Sequence, residues 1–146
     1  MTTSGEDTDP VVQAAMAIDQ LAESYLDWTR TQVQEMWTLM APFDGTAKVP
    51  DQLTLDKIYD LSHNIKGLGG SFNYPLMTDV GRLLCAYLRR VKTAETKAHP
   101  GLITAHIRAL DLILRDNITG SGGDVGRRLV ERLSVLAHQD LAKAEA

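Results

Sequence analysis

Several features common in secreted, membrane and nucleic-acid-binding proteins are missing from this sequence of 146 residues. Cys85 is the sole cysteine, so no disulfide can form within the chain, and we expect a reducing compartment. No apolar run approaches the roughly 18 residues that a membrane span needs. The formal net charge is −4, which argues against general nucleic-acid binding. We therefore expect a cytoplasmic protein with neither membrane nor nucleic-acid partners.

Strand patterns are missing as well, whereas apolar residues recur at helical spacing through most of the chain. Asp9 and Pro10 are typical of a helix start, and the small, polar and acidic residues before them predict a disordered tail over residues 1–9. The pattern predicts five helices, over residues 10–40, from about 51 to between 70 and 73, and over about 75–97, 101–118 and 124–142. Residues 10–146 are therefore expected to form one all-α domain, an antiparallel up-down four-helix bundle with a long additional N-terminal helix. Whether that first helix caps the bundle, joins it or mediates dimerisation stays open.

The stretch LSHNIKGLGGSFNY, residues 61–74, combines an ordinary apolar helix face with an unusual polar one. At about 100° per residue, His63 projects away from the apolar stripe, and Lys66, Gly67 and Gly70 follow it on the same side. Exposed glycine costs a helix roughly 0.5–1 kcal/mol relative to alanine. Two glycines beside one exposed imidazole therefore indicate a requirement other than helix stability.

A chemical role explains this combination better than chance surface exposure. An exposed imidazole is largely neutral near neutral pH and is then a nucleophile. Lys66, one turn further on, can place an ammonium group beside an anion carried by His63. Gly67 and Gly70 remove side chains next to the ring, which leaves room for the surface of another protein. The pattern favours a histidine that accepts and passes on a phosphoryl group.

The same residues resemble the signature of histidine-containing phosphotransfer (HPt) domains. That signature is H-x-x-K-G followed by a small residue six positions after the histidine, an apolar residue nine positions after it and usually glycine at the tenth. Here His63, Lys66 and Gly67 match its first part, with Gly69 and Phe72 at the next two positions. The sequence departs from the signature at residue 73, which is asparagine, the next most suitable residue for a left-handed helix end.

This resemblance implies a phosphorelay intermediate in two-component signal transduction. His63 would accept a phosphoryl group from the aspartyl phosphate of one response-regulator receiver domain and relay it to another, with Lys66 stabilising the phosphate. The expected partners are receiver domains and a sensor (hybrid) histidine kinase. Mg²⁺ is expected on the receiver, and no cofactor on this chain. The protein would be a phosphoryl carrier rather than a conventional enzyme, since no segment could form an ATP-binding kinase region, and we expect a monomer.

Further residues are candidates for docking the partner. Tyr59, one helical turn before His63, is one of them, together with Gly67 and Gly70. If the second and third helices pack as a hairpin, Arg82 and Arg89 could stand near His63 and meet an acidic receiver; a solvated basic face explains these arginines equally well. Cys85, on the same side of the third helix, is expected to be half-exposed and not catalytic. No pair of histidines has metal-ligand spacing, and we predict no metal site.

Two other functions fit the helical pattern. The first is a dimeric phosphoacceptor domain like that of a histidine kinase, although Asn64 follows His63 where such domains usually carry an acidic residue. The second is a helical scaffold protein without phosphotransfer. Size-exclusion chromatography would test the former, and replacement of His63 by glutamine would test the latter.

Overall fold

The computed structural model describes residues 9–145, and this part of the chain is entirely helical, without strands. It contains five α-helices, and short 3₁₀ turns at Ala41–Phe43 and Gly69–Phe72 extend the first two: α1 Pro10–Met40, α2 Gln52–Leu68, α3 Pro75–Thr93, α4 Pro100–Arg115 and α5 Gly123–Glu145. The predicted all-α class is thus confirmed. Residues 1–8 of the predicted tail lie outside the described residues.

Helix starts follow the capping residues of the sequence. The Asp9 carboxylate accepts a hydrogen bond from the Val11 amide at 2.9 Å, and Asp51 accepts one from the Thr54 amide at 3.0 Å. Proline occupies the first turn of α1, α3 and α4, where its missing N–H would have no helical partner. These starts were predictable because each cap is a local contact between residues close in sequence.

The C-terminal ends of two helices differ from those that the sequence pattern predicts. Helix α3 ends at Thr93, not at Lys97 as predicted, because Glu95 adopts a left-handed conformation with φ 53° and the Thr96 amide bonds back to the Val91 carbonyl at 3.1 Å. Helix α4 ends at Arg115, three residues before its predicted end at 118. It ends in the same way, because Asn117 adopts a left-handed conformation with φ 51°. This arrangement satisfies carbonyl groups that a helix end otherwise leaves without partners.

Helix α3 lies at the centre of the domain, where it packs against α2, α4 and α5. Helix α1 packs against α2 and α4, but only through its C-terminal half, whose buried residues are Tyr25, Thr29, Val33, Met36 and Met40. Every residue from 10 to 21 is exposed. In the described part of the chain, no helix has both the length and the apolar character needed to cross a bilayer.

A buried hydroxyl ties α5 to the rest of the domain. Tyr87 of α3 donates a hydrogen bond to the Asp140 carboxylate of α5 at 2.6 Å and accepts one from the His99 amide at 2.9 Å. Burial raises the pKa of the Tyr87 phenol, so the group stays protonated and keeps donating. His106 of α4 stacks beside the same ring, with centroids 6.4 Å apart.

Candidate functional site

The site is built on α2 and α3, which approach each other closely because their facing residues are small. Ser62 is fully buried and turns its hydroxyl back to the Ile58 carbonyl at 2.8 Å. Opposite it stands Gly81, where an added Cβ would lie 3.0 Å from the Ser62 carbonyl oxygen and 3.1 Å from the Lys66 amide nitrogen. The backbones of the two helices thus nearly touch beneath the polar face of α2, which holds that face in place.

His63 lies on the outer side of α2 and is exposed. Within residues 9–145 its imidazole has no hydrogen bond or ion pair. Its one ring contact is with Tyr59, one turn earlier, at 6.3 Å between centroids and 26° between planes. A histidine without an internal partner can use a ring nitrogen on another molecule.

Lys66 lies one turn after His63 and is half-buried. Side chains three residues apart on a helix are neighbours, with Cβ atoms about 5–6 Å apart. No carboxylate in the described part of the chain pairs with the Lys66 ammonium group. Its charge is therefore available to an anionic group placed on the His63 ring.

The three glycines of this stretch fall into two kinds. A Cβ added at Gly67 or Gly70 would have no atom outside the local backbone within 4 Å, so nothing inside the domain requires glycine there. At Gly69 the same Cβ would lie 2.5 Å from Thr78 Oγ1 and 2.6 Å from the Tyr74 carbonyl oxygen. Gly69 therefore allows α3 to approach, whereas Gly67 and Gly70 leave bare helix surface beside His63.

Thr78 of α3 fixes the end of α2. Its hydroxyl donates to the Lys66 carbonyl at 3.0 Å and accepts from the Gly70 amide at 3.1 Å. The chain then leaves through Asn73, which has a left-handed backbone with φ 65°, as expected for asparagine at the tenth position after the histidine. Periodicity places Thr78 on the same polar side of α3 as Arg82 and Arg89, as a candidate for docking, but it does not predict these two bonds, which cross from one helix to the next.

The two candidate arginines lie in different environments. Arg89 donates to the Tyr59 hydroxyl at 2.6 Å, and its guanidinium carbon is 5.8 Å from the centre of that ring. Arg89, Tyr59 and His63 are thereby brought together. Arg82 instead pairs with Asp79 on its own helix at 3.5 Å, and no hydrogen bond or ion pair within residues 9–145 links it to α2.

The predicted half-exposure of Cys85 is wrong. Cys85 is 2 % exposed, because it faces α2 in the close contact around Gly81, where its thiol lies 3.8 Å from the Tyr59 carbonyl oxygen. Burial raises the pKa of this thiol, which keeps it protonated and unreactive. The sequence pattern placed Cys85 on the polar side of α3. The structure buries it because the α2–α3 contact is wide, and the width of that contact depends on packing and not on periodicity.

No enclosed pocket accompanies this group of residues. The cavity that Tyr59 and Arg89 line has a volume of about 130 Å³, below the roughly 300 Å³ at which small-molecule pockets begin. Across residues 9–145, no group of three His, Cys, Asp or Glu side chains could hold a metal ion. The arrangement is an open surface with an exposed imidazole and the cationic side chains of Lys66 and Arg89, which suits the surface of another macromolecule.

Compared with protein-family models, with curated proteins and with solved structures, the chain matches none. The functional interpretation therefore rests on the residues of α2 and α3 and on their geometry.

Proposed function

We propose that this protein is a cytoplasmic histidine phosphotransfer protein, which carries a phosphoryl group on His63 between receiver domains. The observation that carries the proposal is the imidazole itself: it is exposed, has no internal partner, and is flanked by a free ammonium group and by helix surface without side chains. Neither glycine at 67 nor glycine at 70 is explained by packing. Access to a partner's surface explains both.

The proposed step needs only groups on the two proteins. A ring nitrogen without a proton attacks the phosphorus of a receiver's aspartyl phosphate with its lone pair. The bond between phosphorus and the acyl oxygen breaks, and the aspartate leaves as a carboxylate. His63 then carries the phosphoryl group, and transfer to the next receiver reverses these events.

Lys66 supplies the charge that the phosphoryl group needs. The group keeps its negative charge throughout, and a neighbouring ammonium group stabilises it on the ring. The catalytic Mg²⁺ is expected on the receiver, so this chain needs no cofactor of its own. The carrier role follows, since the chain provides the acceptor and the surface and the partner provides the metal.

The fold proposed with this function is an antiparallel up-down four-helix bundle with one additional helix. Its support is the set of contacts: α1 with α2, α2 with α3, α3 with α4 and α4 with α1 close a ring of four neighbours, and α5 packs outside it on α3 and α4. In this arrangement the C-terminal half of the long first helix belongs to the ring, and the additional helix is α5 and not the N-terminal helix that the sequence pattern predicted.

Docking of the receiver is proposed to use the surface around His63, formed by Tyr59, Gly67, Gly70 and Arg89. The bond between Arg89 and Tyr59 supports a role for both, because it holds a positive charge against the aromatic ring that neighbours His63. Arg82 is proposed as a more distant contact, since its charge is partly satisfied by Asp79.

The test is transfer of labelled phosphate from a panel of receiver domains phosphorylated beforehand with labelled acetyl phosphate. We expect label on this chain that is stable to base and labile to acid, as a phosphoramidate is, and none on the His63→Gln protein. His138→Gln, at an exposed histidine of α5, is the matched control and should accept label normally. Failure of every receiver to transfer label would contradict the proposal, and partner binding without transfer would favour the scaffold function.

A further inference from the structure

The His63 imidazole has one aromatic neighbour on its own helix, Tyr59. The ring centroids are 6.3 Å apart and the ring planes differ by 26°, within the range of roughly 4.5–7 Å in which aromatic pairs attract each other. Helical side chains lean back towards the residues three and four positions before them, so the contact follows from the spacing of the two residues. His63 is exposed, whereas Tyr59 is half-buried. The tyrosine is therefore the more restrained partner of the two.

Tyr59 is in turn attached to α3 at both of its ends. Its hydroxyl accepts a hydrogen bond from Arg89 at 2.6 Å, and the guanidinium carbon lies 5.8 Å from the ring centre, a distance at which a cation is attracted to an aromatic face. The Cys85 thiol donates to the Tyr59 backbone carbonyl at 3.8 Å. The packing of α2 against α3 thus sets the orientation of the Tyr59 ring.

The opposite side of the imidazole has no such support. A side chain at position 67 would lean back over His63, but the residue is glycine, and a Cβ built there meets nothing within 4 Å. Asp60, three residues before His63, is exposed and has no hydrogen bond or ion pair with it within residues 9–145. The imidazole is therefore held from the Tyr59 side and open on the Gly67 side.

We propose that Tyr59, held by Arg89, is a positioning residue that keeps the His63 imidazole in one orientation, open to a partner from the Gly67 side. A helix already disfavours a χ1 angle near about +60°, which leaves two orientations for an exposed histidine. Contact with the Tyr59 ring selects one of them. A nucleophile ordered in this way reacts faster, because its rotamer freedom is lost before the partner arrives. The benefit to phosphotransfer rests on the function proposed above.

Three-bond couplings across the Cα–Cβ bond of His63, measured by nuclear magnetic resonance, test the orientation without any receiver. We expect the couplings of one dominant rotamer in the unmodified protein and averaged couplings in Tyr59→Ala. The matched variant Asp60→Asn, at the adjacent position on the same turn, should leave them unchanged. Averaged couplings in the unmodified protein would overturn the proposal, as would a Tyr59→Ala protein with unchanged couplings or equal effects of the two variants.

Single-turnover transfer from a phosphorylated receiver distinguishes positioning from docking. Tyr59→Phe and Arg89→Met remove the same hydrogen bond from its two ends and spare the buried core. Each should lower the maximal rate about twofold to tenfold, and the double variant should be no slower than either single variant, as expected for residues that act as a unit. Arg90→Met, at the next exposed arginine of α3, controls for the lost charge and should keep the maximal rate.

Direct contact of Arg89 with the receiver would appear elsewhere, as a higher receiver concentration at half-maximal rate. Additive losses of maximal rate in the double variant, or no loss in either single variant, would contradict positioning through the bond between Tyr59 and Arg89. The inference and the proposed function also fail separately. An ordered imidazole that accepts phosphate from no receiver would contradict the function alone, whereas transfer at the full rate in Tyr59→Ala would retain the function and overturn the role of Tyr59.

Discussion

The two kinds of glycine in the candidate site should respond to alanine in opposite directions. Gly67 and Gly69 are two residues apart, and helical periodicity already places Gly67 on the polar side of α2 and Gly69 on the side of its apolar stripe. An added methyl group at Gly67 meets nothing within 4 Å, whereas at Gly69 it meets both the side chain and the backbone of α3. We predict that Gly67→Ala stabilises the domain and that Gly69→Ala destabilises it.

The magnitudes follow from these surroundings. At Gly69 the methyl carbon would lie 2.6 Å from the Tyr74 carbonyl oxygen and 2.9 Å from the Thr78 amide nitrogen, and backbone atoms cannot rotate away. We expect a loss of about 2–3 kcal/mol in the free energy of unfolding, the upper part of the range for overpacking. Gly67→Ala should gain about 0.5–1 kcal/mol from helix propensity, which raises the melting temperature by about 1–4 °C.

Urea unfolding followed by far-ultraviolet circular dichroism measures the change in the free energy of unfolding for both alanine variants. The phosphotransfer assay tests whether the exposed glycines give a partner access to His63. A longer side chain, Gly67→Gln or Gly70→Gln, should leave the fold intact but slow transfer to His63, because it fills the bare surface beside the ring. Gly69→Ala with the stability of the unmodified protein would refute the packing argument. Unchanged transfer in both glutamine variants would refute the steric explanation of the exposed glycines.

Two further predictions concern hydrogen-bonded and buried groups. Thr78→Val removes both bonds that fix the end of α2 and should lower the free energy of unfolding by about 1–2 kcal/mol, with faster hydrogen exchange at the Gly70 amide; exchange as slow as in the unmodified protein would contradict this. His106 is fully buried, donates from Nδ1 to the Leu102 carbonyl at 2.8 Å, and has no partner for Nε2 within residues 9–145. Burial lowers the pKa of His106, so the unfolded chain takes up the proton first, and stability should fall as pH drops below about 6.5. His106→Leu should remove this component, and identical pH profiles of the two proteins between about pH 7 and pH 5 would show that His106 does not cause it.

Local signals in the sequence account for what could be predicted. Aspartate and proline at helix starts act on neighbouring amides, and periodicity placed His63 opposite the buried face of α2, where the structure has it. The end of α3 was not predicted because Glu95 adopts a left-handed backbone conformation, which the presence of a glutamate does not indicate. Such an end depends on the contacts of the following loop, which no pattern within the helix records.

Residues that depend on the approach of two helices were harder to predict. Arg82 and Arg89 are equivalent by periodicity, yet Arg89 reaches Tyr59 of α2 whereas Arg82 stays with Asp79. Cys85 is buried for the same reason. The crossing of α2 and α3 decides each of these cases. The small residues Ser62 and Gly69 on α2 indicate that the helices can pack closely, and Gly81 in the middle of α3 is the matching feature on the other helix.

The contact at Gly81 has a consequence for redesign of the partner surface. Ser62, Gly69 and Gly81 bring the backbones of α2 and α3 together. The outward side chains of α2 therefore do not contribute to the packing of these two helices. Exposed positions such as Asn64 could therefore be randomised in a library without loss of the folded scaffold. Selection for binding of a chosen protein would then act on recognition alone, because residues on the opposite side of the helix maintain the fold.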